Sequence, residues 1–326
     1  RLVAAYRAQG AAGLVSRRVG QPSNRRLKEP LREAIRALLV ERYPDFGPTL
    51  AQEKLAERHQ IEVSVETIRQ LQVELGLWRP KRRKAARAHQ LRERRGRFGE
   101  LIQIDGSPHD WFEGRGPRCT LIVFIDDATG RLVQLWFAPS ETTAVYMRVL
   151  RRHLERFGRP AALYSDRHSI FRLNQVEPAN GATTTQLGRA LEGLEIEAIH
   201  ARTPQAKGRV ERANQTLQDR LVKELRLRGI NDLEGANAYL PPFMDDFNQR
   251  FAVAPSSGAD AHRPLLQSPR ALDLLLSEQE ARTLSKNLTV QYRNVAYQIR
   301  HDGPGYHLRG AKVTVCALAD GEVVLL

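Results

Sequence analysis

The chain has 326 residues, of which 27% are charged, and its mean hydropathy is -0.46. This composition excludes a protein built mainly of membrane-spanning helices, and the length predicts two or three domains rather than a single core. The net charge of +14 and the pI near 10.3 predict a polyanionic partner, because basic side chains gain affinity by releasing the counterions condensed on phosphates.

The sequence carries no signal for export or for a membrane. It has no run of about 18 uncharged apolar residues and no signal peptide, so we predict a cytoplasmic protein without a membrane partner. Cys119 and Cys316 lie in apolar, strand-like runs without the paired spacing of zinc sites, and both are predicted to be reduced packing residues. His109 and Trp111 are also interpreted as packing or turn-stabilising residues, with a supporting role beside a catalytic site as the alternative for His109.

Helical patterning opens the chain in two parts. Residues 1–22 follow a helical period and are interpreted as the remnant of a helical DNA-binding module. Over residues 30–78, three apolar periods predict three short helices, and Ser64 is a good N-cap for the last of them. Three helices with a tight connection before the third have the layout of a helix-turn-helix domain, whose last helix enters the major groove.

The exposed face of that third helix is predicted to read DNA, with Arg69 and Gln70 as the main contacts. A surface helix without a DNA-binding role could present a similar face. The side chains that the helical period places there are Glu66, Thr67, Arg69, Gln70 and Gln72.

A strongly basic segment follows at residues 79–97, with ten Lys or Arg residues against the single acid Glu93. It is either a solvated linker or a linker that tracks phosphates, and its position between a DNA-reading module and a second domain favours the latter. The predicted phosphate contacts in this segment are Arg79, Lys81, Arg82, Arg83 and Lys84.

Residues 98–252 change from a helical to a strand-like period and then alternate between the two. Three consecutive strands are predicted at residues 101–104, 120–125 and 132–137. Helices and strands alternate after them, which indicates an α/β domain with a mixed sheet and flanking helices. Asp126 and Asp127, between the second and third strands, are interpreted as turn formers rather than catalysts.

Three acidic residues stand where such a sheet would expose its edge. Asp105 follows an apolar run, Asp166 ends the predicted fourth strand, and Glu211 lies near the start of a long helix. A lone acid at such a position is usually a cap or a solvated charge, but three together suit Mg²⁺ or Mn²⁺, which prefer hard oxygen ligands. Two such ions about 4 Å apart can activate a water or a 3′-hydroxyl and stabilise the leaving oxygen in phosphodiester chemistry.

At these residues the chain resembles bacterial insertion-sequence transposases with a retroviral-integrase-like, ribonuclease-H-like core and a DDE motif. The segments that carry the resemblance are Gln103-Ile104-Asp105-Gly106-Ser107 with Trp111, Tyr164-Ser165-Asp166, and Gly208-Arg209-Val210-Glu211-Arg212-Ala213-Asn214. The resemblance implies that Asp105, Asp166 and Glu211 form the acidic triad that holds two catalytic Mg²⁺ or Mn²⁺ ions.

Two features depart from the pattern of that family. The stretch between Asp166 and Glu211 is longer than is common, and Arg167-His168-Ser169 stands where many relatives have an Asn-Gly type of turn. His168 is therefore a candidate helper near the scissile phosphate, and a structural or DNA-facing role is the favoured alternative.

The long helix that carries Glu211 offers further candidates for DNA contacts. Lys207, Asn214 and Gln218 share a face with Glu211 by their spacing, although a solvated helix face has the same pattern. The predicted DNA contacts on and before this helix are Lys207, Arg209, Arg212 and Asn214.

The remaining sequence predicts two further parts. Residues 233–251 are interpreted as a helix pair interrupted at Pro241-Pro242, and residues 253–286 as a linker with a helix. Residues 287–326 alternate as in short strands and predict a small, barrel-like C-terminal β-domain. By the resemblance, this domain helps to bind DNA or neighbouring subunits.

The resemblance implies a DNA transposase that cleaves at the ends of a mobile element and joins the freed 3′-hydroxyl to target DNA. Its partners would be double-stranded DNA, both element ends and target, and at least one more copy of the chain, because two ends are paired. In the cell it would associate with the nucleoid while bound to DNA. Two alternatives remain open: a catalytically silent DNA-binding regulator, and a ribonuclease-H-like nuclease that cuts without joining.

Overall fold

The computed structural model describes residues 2–15, 27–79, 93–165, 185–200, 208–300 and 305–326. The chain divides into two compact units, Arg1–Ala88 and His89–Leu326. Seven of the residues predicted above as site residues lie outside the described residues: Lys81, Arg82, Arg83, Lys84, Asp166, His168 and Lys207.

The first unit is helical. Its helices are α1 (Leu2–Gln9), α2 (Glu29–Glu41), α3 (Pro48–His59) and α4 (Val65–Glu74). Ile35, Leu55 and Ile68, one from each of the last three helices, are fully buried. The Oγ of Ser64 accepts a hydrogen bond from the amide of Thr67 at 3.1 Å and so satisfies one of the unpaired donors at the start of α4. The predicted three-helix module and its cap are confirmed.

The second unit is built on a five-stranded mixed sheet. Its strands are β1 (Ile102–His109), β2 (Cys119–Asp126), β3 (Leu132–Ala138), β4 (Ala162–Ser165) and β5 (Glu197–His200), in the order β3-β2-β1-β4-β5. The first three strands are antiparallel neighbours, whereas β4 runs parallel to both β1 and β5. The predicted mixed sheet is confirmed.

Helices cover both faces of the sheet: α5 (Thr143–Phe157) and α6 (Gln186–Gly193) lie on one, and α7 (Gly208–Leu227) and α8 (Leu233–Phe251) on the other. Because side chains alternate along a strand, Ile102 and Ile104 of β1 pack towards α5. The residues between and beyond them, Gln103 and Asp105, therefore face α7. Among the helices in the described ranges, none is both long and apolar enough to cross a membrane.

The last of these helices, α8, is continuous, so the predicted interruption at Pro241 and Pro242 was wrong. Both prolines lie on its exposed side, and each removes one backbone hydrogen bond from the helix. The opposite side buries Leu240, Phe243 and Phe247 in the core, and this packing holds the helix together through the prolines.

Two asparagines of α8 also pair with the free edge of the sheet. Asn248 accepts from the Leu132 amide at 2.7 Å and donates to the Leu132 carbonyl at 2.9 Å. Asn237 does the same with Phe137, at 2.8 and 3.0 Å. The two asparagines are separated by a helix rise of about 16 Å, which matches the strand length of about 16 Å between their partners. These side chains therefore satisfy edge groups of β3 that would otherwise be open to pairing with another chain.

The C-terminal region is rich in strands, as predicted. It contains α9 (Pro269–Leu275), β6 (Glu278–Thr283), β7 (Thr289–Tyr292), β8 (Val295–Gln298), β9 (Lys312–Ala317) and β10 (Val323–Leu325). In its described residues the strands form one three-stranded sheet, β10-β9-β6, and one hairpin, β7-β8, rather than a closed barrel. Strand β6 falls within the range predicted as a linker, because its sequence Glu-Gln-Glu-Ala-Arg-Thr lacks apolar alternation and only the pairing with β9 makes it a strand.

The chain that follows α8 packs onto the sheet domain. Phe98 pairs with Asp260 through a backbone bridge, and Leu272 joins the core beneath α5 and α6. Gly99 has a φ of +79°, and a Cβ at this position would lie 2.2 Å from the ring of His262. A glycine is required there by both the backbone conformation and the contact.

Both cysteines are buried and free, as the sequence predicts. Burial, with a smaller contribution from Asp110, raises the pKa of Cys119 to about 11. The thiol is therefore uncharged at neutral pH and serves as a packing group.

A buried histidine pair joins α5 to the segment after α8. The Nε2 atoms of His153 and His262 are 3.2 Å apart, and the Nδ1 of His262 lies 2.7 Å from a carboxylate oxygen of Asp260. Burial, reinforced by the charges of His262 and Arg156, lowers the pKa of His153 to about 3. The fold therefore accommodates the neutral form of His153.

We expect the free energy of unfolding to decrease as the pH falls below about 6.5, because unfolded His153 binds a proton that the folded state excludes down to about pH 3. One such group contributes a slope of about 1.4 kcal/mol per pH unit within that window. In denaturant unfolding measured from pH 7 to 5, His153→Gln should reduce the slope by this amount, whereas His109→Gln, at an exposed histidine of the same unit, should not. Equal slopes for His153→Gln and the wild type would contradict the assignment.

Candidate active site

A seam of polar contacts joins β1 to α7 on one face of the sheet. Its three contacts, in chain order, are the Val210 amide to Gln103 Oε1 at 3.2 Å, Asn214 Nδ2 to Asp105 Oδ2 at 2.9 Å, and Gln218 Nε2 to Ser107 Oγ at 3.0 Å. Successive contacts are two residues apart on the strand, a rise of about 6.6 Å, and four residues apart on the helix, a rise of about 6 Å. The spacing of contacts along β1 therefore matches the spacing along α7. The seam therefore fixes α7 along β1 at three successive positions.

Asp105 lies in the middle of β1 rather than at its end, where the sequence placed it. The strand continues to His109, and Asp105 pairs with Val123 of β2. Pairing with β4 involves only Ile102 and Gln103, so Asp105 lies just past the paired part of β4. The sequence analysis ended the strand with its apolar run at Ile104, but pairing with β2 continues it to His109.

Asn214 holds the carboxylate of Asp105. Its Nδ2 donates to Asp105 Oδ2, and the residue is only 9% exposed, although the sequence predicted a DNA contact. The other amide atom, Oδ1, is buried without a hydrogen-bond partner among the described residues. A buried carbonyl oxygen of Asn214 thus lies next to the Asp105 carboxylate. Together these atoms form a set of hard oxygen donors.

Glu211 lies in the first turn of α7 and is exposed. It precedes Asn214 by three residues, which places the two on neighbouring turns of one helix face, about 4.5 Å apart along the axis. A carboxylate in the first helical turn is also stabilised by the helix dipole, by about 0.3–1 kcal/mol. Asp105 is thus tied to the residue one turn after Glu211, while Asp166 follows Ser165, the last residue of β4, outside the described residues.

Asp127 anchors the start of α7. Its side chain is 0% exposed, and Oδ1 accepts hydrogen bonds from Gln103 Nε2 and from an Nη of Arg209, each at 2.6 Å. Oδ2 accepts from the Arg95 amide at 2.9 Å. The side chain of Arg209, predicted to contact DNA, is only 14% exposed and lies in this ion pair. The sequence analysis missed this contact. The signal for it was that a turn needs only one aspartate, so the second of two adjacent aspartates was available for another partner.

Asp126 is the turn former that the sequence predicts. Its Oδ2 accepts from the amide and the hydroxyl of Thr129 at 2.8 and 2.6 Å, and its Oδ1 accepts from the Gly99 amide at 3.0 Å. Burial raises the pKa of Asp126, and the hydrogen bonds from Thr129 and Gly99 oppose that rise. These contacts tie the turn to the segment before β1 rather than to α7.

The candidate DNA-reading face of α4 is smaller than predicted. Gln72 is fully buried and donates from Nε2 to the Phe46 carbonyl at 2.8 Å, so its assignment to the exposed face was wrong. Gln70 is exposed, as is Arg79 beyond the helix. Arg69 pairs with Glu66 and lies over the ring of Trp78, 5.6 Å from its centroid.

Arg212 and Gln218 complete the described part of the helix face. Arg212 is exposed and donates from Nε to the Gly208 carbonyl at 2.8 Å, whereas Gln218 contacts Ser107. Within the ranges that the structure describes, no three His, Cys, Asp or Glu side chains form a group that could hold a metal ion. Asp166 lies outside those ranges.

Comparisons with known proteins relate the chain to proteins of mobile elements. A family model described as a homeodomain-like domain matches residues 1–71. The chain is 45% identical over 323 residues to y4bF of Sinorhizobium fredii, named as a transposase, covering 99% of this chain and 70% of that protein. It is 34% identical over 243 residues to the transposase for insertion sequence IS1202 of Streptococcus pneumoniae, covering 73% of this chain and 51% of that protein. The chain thus spans about half the length of the second relative.

Among solved structures, the chain is similar to the HTLV-2 integrase catalytic core domain in complex with magnesium. The identity is 19%, with 44% of this chain and 85% of that chain covered and a TM-score of 0.33. It is also similar to a chain of the simian T-cell lymphotropic virus intasome in complex with PP2A regulatory subunit B56 gamma, at 14% identity. That match covers 90% of this chain and 95% of that chain, with a TM-score of 0.39. TM-scores this low mark both as weak structural likenesses.

Proposed function

Because the chain belongs to the transposase family, we propose that it cleaves DNA at the ends of a mobile element and joins the freed 3′-hydroxyl to target DNA. The observation that carries this proposal is the contact between Asn214 and Asp105, which ties the central strand to the helix that bears Glu211. That contact fixes Asp105 beside the residue one turn after Glu211 on α7, which would allow the two carboxylates to serve one site.

The donor set at this place fits divalent metal ions. Asp105, Asp166 and Glu211 would supply carboxylates, and the buried, unpartnered Oδ1 of Asn214 adds a neutral oxygen beside Asp105. Such oxygen donors suit Mg²⁺ or Mn²⁺. When bound, two such ions would supply positive charge to the scissile phosphate and lower the pKa of an attacking water.

The chain's own residues would hold and orient the reacting groups. Asn214 keeps Asp105 in one rotamer, and Gln218 keeps Ser107 and the far end of β1 against α7. Arg212, exposed on the first turns of α7, would contact a phosphate near Glu211, as would Lys207 just before the helix. His168, two residues after Asp166, remains a candidate for a further contact near the scissile phosphate.

We further propose that the N-terminal unit recognises the element ends. Gln70 on α4 would bond base edges, with Arg69 beside it, while Arg79 and the basic residues Lys81, Arg82, Arg83 and Lys84 would bind phosphates. Pairing of two DNA ends would require at least a homodimer on double-stranded DNA. A protein with this task works on the bacterial chromosome, in the cytoplasm and nucleoid.

The proposal is tested by incubating the purified protein with labelled duplexes that carry candidate element ends, in Mg²⁺, Mn²⁺ or EDTA, and by resolving the products on a denaturing gel. We expect metal-dependent cut strands and joined products. Cut strands without joined products would support a nuclease, and tight binding without either product would support a silent DNA-binding regulator. A duplex with scrambled ends controls for sequence-independent binding.

A further inference from the structure

The side chain of Asp127 is completely buried. A carboxylate in the interior costs several kcal/mol in lost hydration, which only close donors can offset. Among the described residues, three such donors reach Asp127: the side chains of Gln103 and Arg209 and the amide of Arg95. Two of these donors belong to the active-site elements, since Gln103 lies on β1 and Arg209 on α7.

These contacts converge on the first turn of α7. Gln103 donates from Nε2 to Asp127 and accepts the Val210 amide on Oε1, so it satisfies one of the amides that a helix start leaves unpaired. Arg209 precedes Val210 and bonds the same oxygen of Asp127. Glu211 is the next residue after Val210, and Asp105 lies two residues after Gln103 on the same face of β1.

We propose that Gln103, Asp127 and Arg209 are positioning residues that set the first turn of α7, and with it Glu211, relative to Asp105. This inference rests on the proposed function, because it assigns the network a role towards the metal ions that Asp105 and Glu211 would hold. Without the network, the Asp105–Asn214 and Ser107–Gln218 contacts still hold α7 from its second turn onward, but the first turn, which bears Glu211, is free to move.

The neighbouring aspartate provides a matched control. Asp126 and Asp127 are adjacent and both 0% exposed. Their contacts differ, because Asp126 bonds Gly99 and Thr129, whereas Asp127 bonds the side chains of β1 and α7. Asp126→Asn and Asp127→Asn thus each replace one fully buried carboxylate by an amide. Only Asp127→Asn removes the carboxylate that bonds Arg209 of α7.

The first measurement is Mn²⁺ affinity by calorimetry on the DNA-free protein, and the second is the Mg²⁺ concentration that gives half-maximal cleavage. We expect Asp127→Asn to weaken both by about 10- to 100-fold, the effect typical of residues that orient metal ligands. Asp126→Asn should lower the melting temperature by about as much as Asp127→Asn does. It should nevertheless leave the Mn²⁺ affinity and the half-maximal Mg²⁺ concentration, together called the metal midpoints, within about threefold of wild type, since metal affinity depends on ligands and their orienting partners. Hydrogen exchange of the peptide that contains Val210 should be faster in Asp127→Asn only.

Arg209→Lys is the second variant, for use if Asp127→Asn does not fold. It keeps the charge beside Asp127 but loses the planar guanidinium, and should shift the metal midpoints in the same direction by a smaller factor. Equal metal midpoints in the wild type, Asp127→Asn and Arg209→Lys would overturn the inference while leaving the proposed function intact. A wild-type protein that binds no Mn²⁺ and cuts no DNA would overturn the proposed function itself.

Discussion

Asp105→Asn and Glu211→Gln should each lower DNA cleavage and joining by at least about a thousandfold, because each removes a carboxylate that would hold a metal ion worth several kcal/mol of transition-state stabilisation. Each replacement keeps the shape of the side chain and removes its negative charge. The amide introduced by Asp105→Asn would retain an oxygen to accept the hydrogen bond from Asn214, so the seam should survive. Binding of element-end DNA, which we assign to the N-terminal unit, should change little, as should the melting temperature.

Two acids near the site serve as controls. Asp110 accepts from the Gly114 amide in the turn after β1, and Asp219, exposed on α7, pairs with Lys223, whose side chain is only 9% exposed. Asp110→Asn and Asp219→Asn should retain cleavage within about threefold of wild type, since an asparagine keeps an oxygen that can accept the same hydrogen bond and neither residue belongs to the proposed triad. Rates of cleavage and joining are measured on labelled end duplexes. Wild-type rates in either Asp105→Asn or Glu211→Gln would remove that residue from the site.

Trp111→Ala should destabilise the second unit by about 3–5 kcal/mol, the usual cost of deleting a large buried aromatic side chain. Trp111 is fully buried, donates from Nε1 to the Ser107 carbonyl at 3.0 Å, and meets the ring of Phe137 edge-on at a centroid distance of 5.5 Å. The residue follows the motif that contains Asp105, so a role in catalysis has to be distinguished from a role in packing.

Trp111→Phe separates those roles. It keeps most of the aromatic packing and loses one hydrogen bond, so the loss of stability should be about 1–2 kcal/mol. Cleavage per folded molecule should stay near the wild-type rate. Unfolding is followed by far-ultraviolet circular dichroism in denaturant. A Trp111→Phe protein that is as stable as wild type but inactive would show that Trp111 serves the chemistry instead of the core.

The sequence predicted the parts of the fold that depend on local patterns. The three-helix module follows from apolar spacing and from the Ser64 cap, and strand β2 from an unbroken apolar run that the structure buries throughout. The packing role of Cys119 likewise follows from its place in that run. Such features are encoded within a few neighbouring residues, which is why a single sequence suffices for them.

Features that depend on distant partners were not predicted. Asp127 was interpreted as a turn residue and Arg209 as a DNA contact, because the two residues lie 82 positions apart and only the fold pairs them. Gln72 was placed on the exposed face, since its contact is a backbone carbonyl on the other side of the module. The continuity of α8 through Pro241 depends in the same way on packing that only the folded sheet provides.

Cleavage of the protein by bound Fe²⁺ tests directly whether Asp105, Asp166 and Glu211 share one metal site. Fe²⁺ that replaces Mg²⁺ reduces added hydrogen peroxide to hydroxide and a hydroxyl radical, ascorbate returns the Fe³⁺ to Fe²⁺, and the radicals cut the protein backbone beside the bound ion. We expect fragments that end near all three residues, that disappear together with excess Mg²⁺, and that are lost together in Asp105→Asn. Cuts near one of these residues alone, or a pattern that Mg²⁺ does not suppress, would show that the three acids do not share a metal site.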